Sequence, residues 1–67
     1  MIDIFLNGSA HPVPDSTTID GLIESLGIPR KGIALALNSE VIPQSGWMER
    51  LLLPHDKVEL LTIAQGG

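Results

Sequence analysis

Apolar and polar residues alternate at the start of the chain. Ile2, Ile4 and Leu6 are separated by Asp3 and Phe5, which is the period of a strand. Asn7-Gly8 follows, a dipeptide that favours a tight hairpin turn, so Ser9 to Val13 is expected to return antiparallel. Pro12 and Pro14 cannot donate to a ladder, which puts this second strand at a sheet edge or near its own end. Asp15 to Thr18 is a polar break, after which the period changes. Ile19, Leu22, Ile23 and Leu26 fall at i, i+3, i+4 and i+7 and form one apolar helical face. Thr17 is read as the cap of this helix, and Asp20 sits in its first turn, where the helix dipole favours an acid. Gly27 supplies a left-handed stop and Pro29 prevents the helix from resuming. Gly21 costs about 1 kcal/mol in a helix interior; close packing on a neighbour is one reason for its presence.

The strand period returns over Gly32 to Leu37. Asn38-Ser39-Glu40 is expected to turn the chain into a short strand, Val41-Ile42, stopped by Pro43. Ser45 to Glu49 has room for one helical turn, with Trp47 packed inward. Leu51 to Leu53 crosses the domain, and Pro54-His55-Asp56 turns into a last strand, Val58 to Ile63. The order is β-β-α-β-β-β. It requires the helix to lie across one sheet face, with the first and last strands parallel at the centre. The expected class is therefore α+β, a ubiquitin-like β-grasp: a mixed sheet of four to five strands on one α-helix, with the domain over residues 1–63 and a flexible tail over 64–67.

The same alternation assigns faces. With Ile2, Ile4, Leu6, Ile33, Leu35, Leu37, Val58 and Leu60 turned to the helix, the opposite face carries Phe5, Ala34, Ala36, Leu61 and Ile63. No element remains to cover that face. It is read as a partner-docking surface, kept flat by its two alanines.

Composition narrows the function. A chain of 67 residues buries only about 60% of its unfolded surface. That leaves no room for a large substrate pocket beside a core and argues against a free-standing enzyme. There is no cysteine, which excludes disulfides, thiolate-bound zinc and a thiol nucleophile, and favours the cytoplasm over secretion. Met1-Ile2-Asp3-Ile4 has neither a basic segment nor a long apolar run, so it reads as neither a signal peptide nor a membrane span. A net charge of −4 with four Lys and Arg residues gives no basic patch for nucleic acid. His11 and His55 lack metal-ligand spacing and read as surface or turn residues, with no metal. Trp47 reads as a packing anchor, and Asp15 and Asp56 as turn residues. The free chain is expected to be a monomer. The remaining reactive group is the α-carboxylate of Gly67, at the end of the thin tail Ala64-Gln65-Gly66-Gly67.

Four stretches carry a resemblance to a known family: Ala34-Leu35-Ala36-Leu37-Asn38-Ser39-Glu40-Val41-Ile42-Pro43, then Trp47, then Asp56-Lys57-Val58-Glu59-Leu60-Leu61-Thr62, then Gln65-Gly66-Gly67. Together they resemble the ThiS family, the sulfur carriers of thiamin (thiazole) biosynthesis. The likeness runs the length of the chain. It departs from the family at Gln44, where a basic residue is usual, and at Pro54-His55-Asp56, where Asp-Gly-Asp is usual.

The resemblance implies a cycle. An ATP-dependent adenylating enzyme of the ThiF type activates the Gly67 carboxylate. A persulfide from a cysteine desulfurase or another donor supplies sulfur and leaves a thiocarboxylate. That species delivers sulfur to a thiazole synthase of the ThiG type. In such a cycle the chain is a co-substrate with no catalytic residue and no cofactor of its own; the activating partner uses the ATP. The chemistry is consistent: a carboxylate is a poor electrophile, an acyl-adenylate carries a good leaving group, and a thiocarboxylate is an anionic nucleophile. Gly66 and Gly67 bring no side chain into a narrow channel and accept unusual φ/ψ. Four extended residues reach about 13–14 Å. Two alternatives stay open: sulfur donation to molybdopterin (MoaD type) or to cysteine synthesis, and a modifier joined to target lysines as ubiquitin is. MoaD-type chains are usually longer and differ in the central block.

Overall fold

The fold was determined as a computed structural model that describes residues 1–62. Its strands are β1 (Ile2–Leu6), β2 (Ser9–Val13), β3 (Ile33–Leu37), β4 (Glu40–Ile42) and β5 (Lys57–Thr62), and its one α-helix is α1 (Ile19–Leu26). The five strands form one sheet in the order β2-β1-β5-β3-β4. β1 and β5 are parallel at its centre, and the other pairs are antiparallel. This is the β-grasp arrangement expected from the element order, and β2 is an edge strand as Pro12 requires. Ile63 and the expected tail at 64–67 lie outside the described residues.

Both hairpins close with two residues at positive φ, the geometry that matches the right-handed twist of the flanking strands. In the first, Asn7 has φ 49° and Gly8 φ 86°. In the second, Asn38 has φ 51° and Ser39 φ 72°. The second turn thus needs only two residues, so β4 starts at Glu40, paired with Leu37, rather than at Val41. β3 starts at Ile33, one residue later than expected, because Gly32 has φ 81° and is still in the turn.

The helix cap is Thr18, not Thr17. Thr18 is extended (φ −86°, ψ 168°), and its Oγ1 accepts a hydrogen bond from the Gly21 N–H at 3.1 Å. The Thr17 hydroxyl instead donates to the Pro14 carbonyl at 2.6 Å. A distant segment decides between the two threonines. The Ile19 N–H donates to the Arg50 carbonyl and the Asp20 N–H to the Trp47 carbonyl, both at 3.0 Å, and the Leu22 N–H donates to the Thr18 carbonyl at 3.0 Å. The donors at the start of α1, which no residue of the helix itself can satisfy, are therefore all engaged. Gly27, with φ 69°, ends the helix as expected.

Among the described residues nothing is packed against Gly21 closely enough to require a glycine. A Cβ there would lie 3.4 Å from Thr18 Oγ1 and 3.5 Å from Thr17 Cγ2, both ordinary contacts. Gly21→Ala is therefore expected to stabilise the domain by about 0.5–1 kcal/mol, read as a higher midpoint in urea denaturation.

The core lies between α1 and the inner sheet face. Ile4, Val13, Leu35, Leu37, Ile42 and Val58 come from the strands, Ile19, Leu22 and Ile23 from the helix, and Trp47 and Leu52 from the β4–β5 connection. The helical turn of that connection is a 3₁₀ turn over Gln44–Gly46 rather than Ser45 to Glu49. It delivers Trp47 into the core at 1% exposure, with its Nε1–H donating to the Ile42 carbonyl at 2.8 Å. The chain then enters β5 through a turn with Pro54 at its second position and His55 at φ 69° at its third. The Asp56 N–H donates to the Leu53 carbonyl at 3.1 Å. Positive φ at that third position suits glycine, and here a histidine adopts it. Asp56 is a turn residue as expected, and it is buried. Its carboxylate accepts from the Leu53 N–H at 2.7 Å and from Asn38 Nδ2 at 3.0 Å.

Candidate functional site

Gly66 and Gly67, the residues read as the site of chemistry, lie outside the described residues, as does Ile63 of the expected docking face. The structure does describe the sheet face that borders them in sequence. Val58 is fully buried toward the helix and Leu60 packs against the core. Lys57, Glu59 and Leu61 therefore project from the opposite face.

Cross-strand register places the other candidates. Ala34 is opposite Leu61, and Ala36 is opposite Glu59 on one side and Val41 on the other. Ala34 and Ala36 are half-buried, whereas Leu61 and Val41 are 61% and 69% exposed. These four lie side by side on the outer face, across β5, β3 and β4, and form an apolar patch. Period-two reasoning on β3 and β5 found three of them. Val41 was missed as a face residue, although its signal was present: once Ile42 points inward, Val41 must point out.

Phe5 does not join this patch. Its partner on β5 is Lys57, at the beginning of that strand, whereas Leu61 lies four positions further on, about 13 Å at strand rise. The exposed side chains of Lys57 and Glu59 occupy the interval. Phe5 instead contributes to a separate cleft of about 450 Å³, lined by Phe5, Asn7, Gly8, Lys57, Val58 and Glu59. Its ring lies 6.4 Å from the His55 ring, tilted by 31°. Strand alternation identifies the outward residues, but only the β1–β5 register shows that they form two separate areas.

The principal ion pair belongs to the helix side. Arg30 donates from Nε to Asp20 Oδ1 at 2.6 Å and from Nη2 to Asp20 Oδ2 at 3.0 Å. That bonding holds the Asp20 carboxyl below its ordinary range and raises the Arg30 guanidinium. The Asp20 contribution is thus present above the ordinary carboxylate range and is lost as pH falls through the lowered value. The pair is solvent-exposed, and its effect on stability is small. Among the described residues no group of three or more His, Asp or Glu side chains could hold a metal ion. None of their helices is long and apolar enough to cross a membrane.

Comparison with known proteins places this geometry. The model of the ThiS family matches residues 4–67. The sulfur carrier protein ThiS of Thermus thermophilus is 33% identical over 64 residues, 96% of this chain and 98% of the relative. A thiazole synthase of Paramagnetospirillum magneticum is 27% identical over 64 residues, which are 96% of this chain and 20% of that protein. Among solved structures, the thiamine biosynthesis protein ThiS of Geobacter metallireducens superimposes with a TM-score of 0.85 at 23% identity, covering 98% of this chain and all of the other. The structural likeness bears on the fold, and the family match extends it to the sequence through both terminal glycines: the chain belongs to the ThiS family.

Proposed function

We propose that this protein is a sulfur carrier of thiamin biosynthesis that is adenylated and sulfurated at the Gly67 carboxylate. On this reading it docks on its partners through Ala34, Ala36, Val41 and Leu61. The observation that carries the reading is the family match, which runs from Ile4 through Gly66-Gly67, joined to a relative of nearly equal length that is itself a sulfur carrier protein. The residues support it chemically. A chain without cysteine must receive its sulfur from outside, from a persulfide donor such as a cysteine desulfurase. A carboxylate must first be activated, and an ATP-using adenylating enzyme of the ThiF type suits that step as the first partner. The likeness to part of a thiazole synthase supports an enzyme of the ThiG type as the recipient.

The patch suits this role. Small side chains at Ala34 and Ala36 let a partner surface approach the sheet closely, and Val41 and Leu61 supply apolar area at its margin. Titration of ¹⁵N-labelled protein with a ThiF-type enzyme is expected to shift resonances of these four residues. Shifts confined to α1 would refute the assignment. Leu61→Asp is expected to raise the KM for adenylation about tenfold by placing a charge at a desolvated contact. The fold should be unchanged, because Leu61 is 61% exposed.

A further inference from the structure

The parallel ladder between β1 and β5 continues one rung past the end of β1, and a side chain makes that rung. In a parallel pair, one residue donates its N–H to the partner strand and accepts, at its carbonyl, the N–H two residues further along that strand. The Asn7 N–H donates to the Val58 carbonyl at 2.8 Å. The matching acceptor for the Leu60 N–H would be the Asn7 carbonyl. At φ 49° the backbone of Asn7 has already entered the hairpin turn. Its side-chain oxygen takes the vacated place: the Leu60 N–H donates to Asn7 Oδ1 at 2.9 Å.

The other turn asparagine holds the start of the same strand. The Asn38 N–H donates to the Lys57 carbonyl at 2.7 Å, and Asn38 Oδ1 accepts from the Lys57 N–H at 2.9 Å. β5 is thus held at its start by one hairpin turn and in its middle by the other. Without the Asn7 rung, the last β1-side bond to β5 is at Val58. The segment from Glu59 to Thr62, which precedes the tail, is then tied in the sheet by β3 alone.

We infer that Asn7 is a positioning residue for sulfur loading: its side-chain amide holds β5 on the β1 side beyond Val58 and so fixes the last residues of β5, the segment through which Gly67 is joined to the domain. The inference rests on the sulfur-carrier reading for the reaction it serves, but the contact itself is independent of that reading. Asparagine suits the position on two grounds. It tolerates positive φ better than most residues with a Cβ, and it presents an acceptor oxygen two bonds beyond its Cβ.

The test compares two variants of the full-length chain. Asn7→Gly keeps the turn, because a Gly-Gly pair suits two positive φ values, and removes the acceptor. Asn7→Asp keeps both the turn and an acceptor oxygen. Amide exchange followed by NMR is expected to show Leu60 exchanging about fivefold faster in Asn7→Gly, the effect of losing one ordinary hydrogen bond. Leu35 should be unaffected, and Asn7→Asp should match the wild type. In adenylation by a ThiF-type enzyme, Asn7→Gly should lower kcat about fivefold with KM nearly unchanged, and Asn7→Asp should restore it. Unchanged Leu60 exchange in Asn7→Gly, an equal loss of protection in both variants, or an unchanged kcat would overturn the inference. If the wild-type chain is not adenylated at all, the sulfur-carrier reading fails instead, and the exchange experiment alone decides whether Asn7 holds β5.

Discussion

A chain lacking Gly67 is expected to fold as the full chain does and to accept no sulfur. Among the described residues the core is assembled between Ile4 and Val58, and a terminal glycine has no side chain to add to it. The melting curve should therefore overlay that of the full chain. The truncated chain still ends in a carboxylate, that of Gly66, and the loss tests reach rather than chemical type. One extended residue is about 3.3–3.6 Å. A misplacement of even 1 Å can cost a reacting pair about a hundredfold in rate. Adenylation measured by ATP-dependent pyrophosphate release should fall to background. Sulfur loading of the truncated chain at the full rate would remove Gly67 from the mechanism.

Trp47→Ala is expected to remove a large share of the domain's stability. The indole is 1% exposed within the core, and its Nε1–H satisfies the Ile42 carbonyl. Truncating a buried aromatic residue to alanine costs about 3–5 kcal/mol. The whole stability of a domain this size is about 3–10 kcal/mol. The Trp47 carbonyl also accepts from the Asp20 N–H at 3.0 Å, so displacing the connection disturbs the start of α1 as well. Trp47→Phe separates the contributions. It retains most of the bulk and leaves the Ile42 carbonyl without its partner, for a loss of about 1–3 kcal/mol. Urea denaturation followed by circular dichroism measures both variants. A Trp47→Ala chain as stable as the wild type would show that the indole is peripheral.

The order of elements along the chain, the first hairpin and the helix face were legible because each rests on residues close in sequence. Asn7-Gly8 announces a turn with two positive φ values, and Ile19, Leu22, Ile23 and Leu26 announce one buried stripe. The errors fall where a distant segment decides. Thr17 and Thr18 are equivalent candidates by local chemistry, and the carbonyls of Trp47 and Arg50 select Thr18 by engaging the next two N–H groups. Asn38-Ser39 did not read as a two-residue turn because serine at φ 72° is a poor substitute for glycine. That obscured the start of β4 and, with it, the place of Val41 on the open face. Phe5 and Leu61 were both correctly turned away from the helix, but alternation carries no information on level, and the β1–β5 register sets them apart. The role of Asn7 was hidden for the same reason, since its acceptor serves a residue 53 positions away. The terminal glycines were legible only as chemistry, through what the chain lacks elsewhere and what precedes them.

The central claim is that sulfur is carried on the carboxylate of Gly67. It is tested most directly by intact-mass spectrometry of the full chain after incubation with a ThiF-type adenylating enzyme, ATP and a persulfide donor. The account predicts a gain equal to the replacement of one oxygen by one sulfur, dependent on ATP and localised by fragmentation to Gly67. An unchanged mass under conditions that sulfurate another ThiS protein, or a gain localised to any other residue, would contradict it.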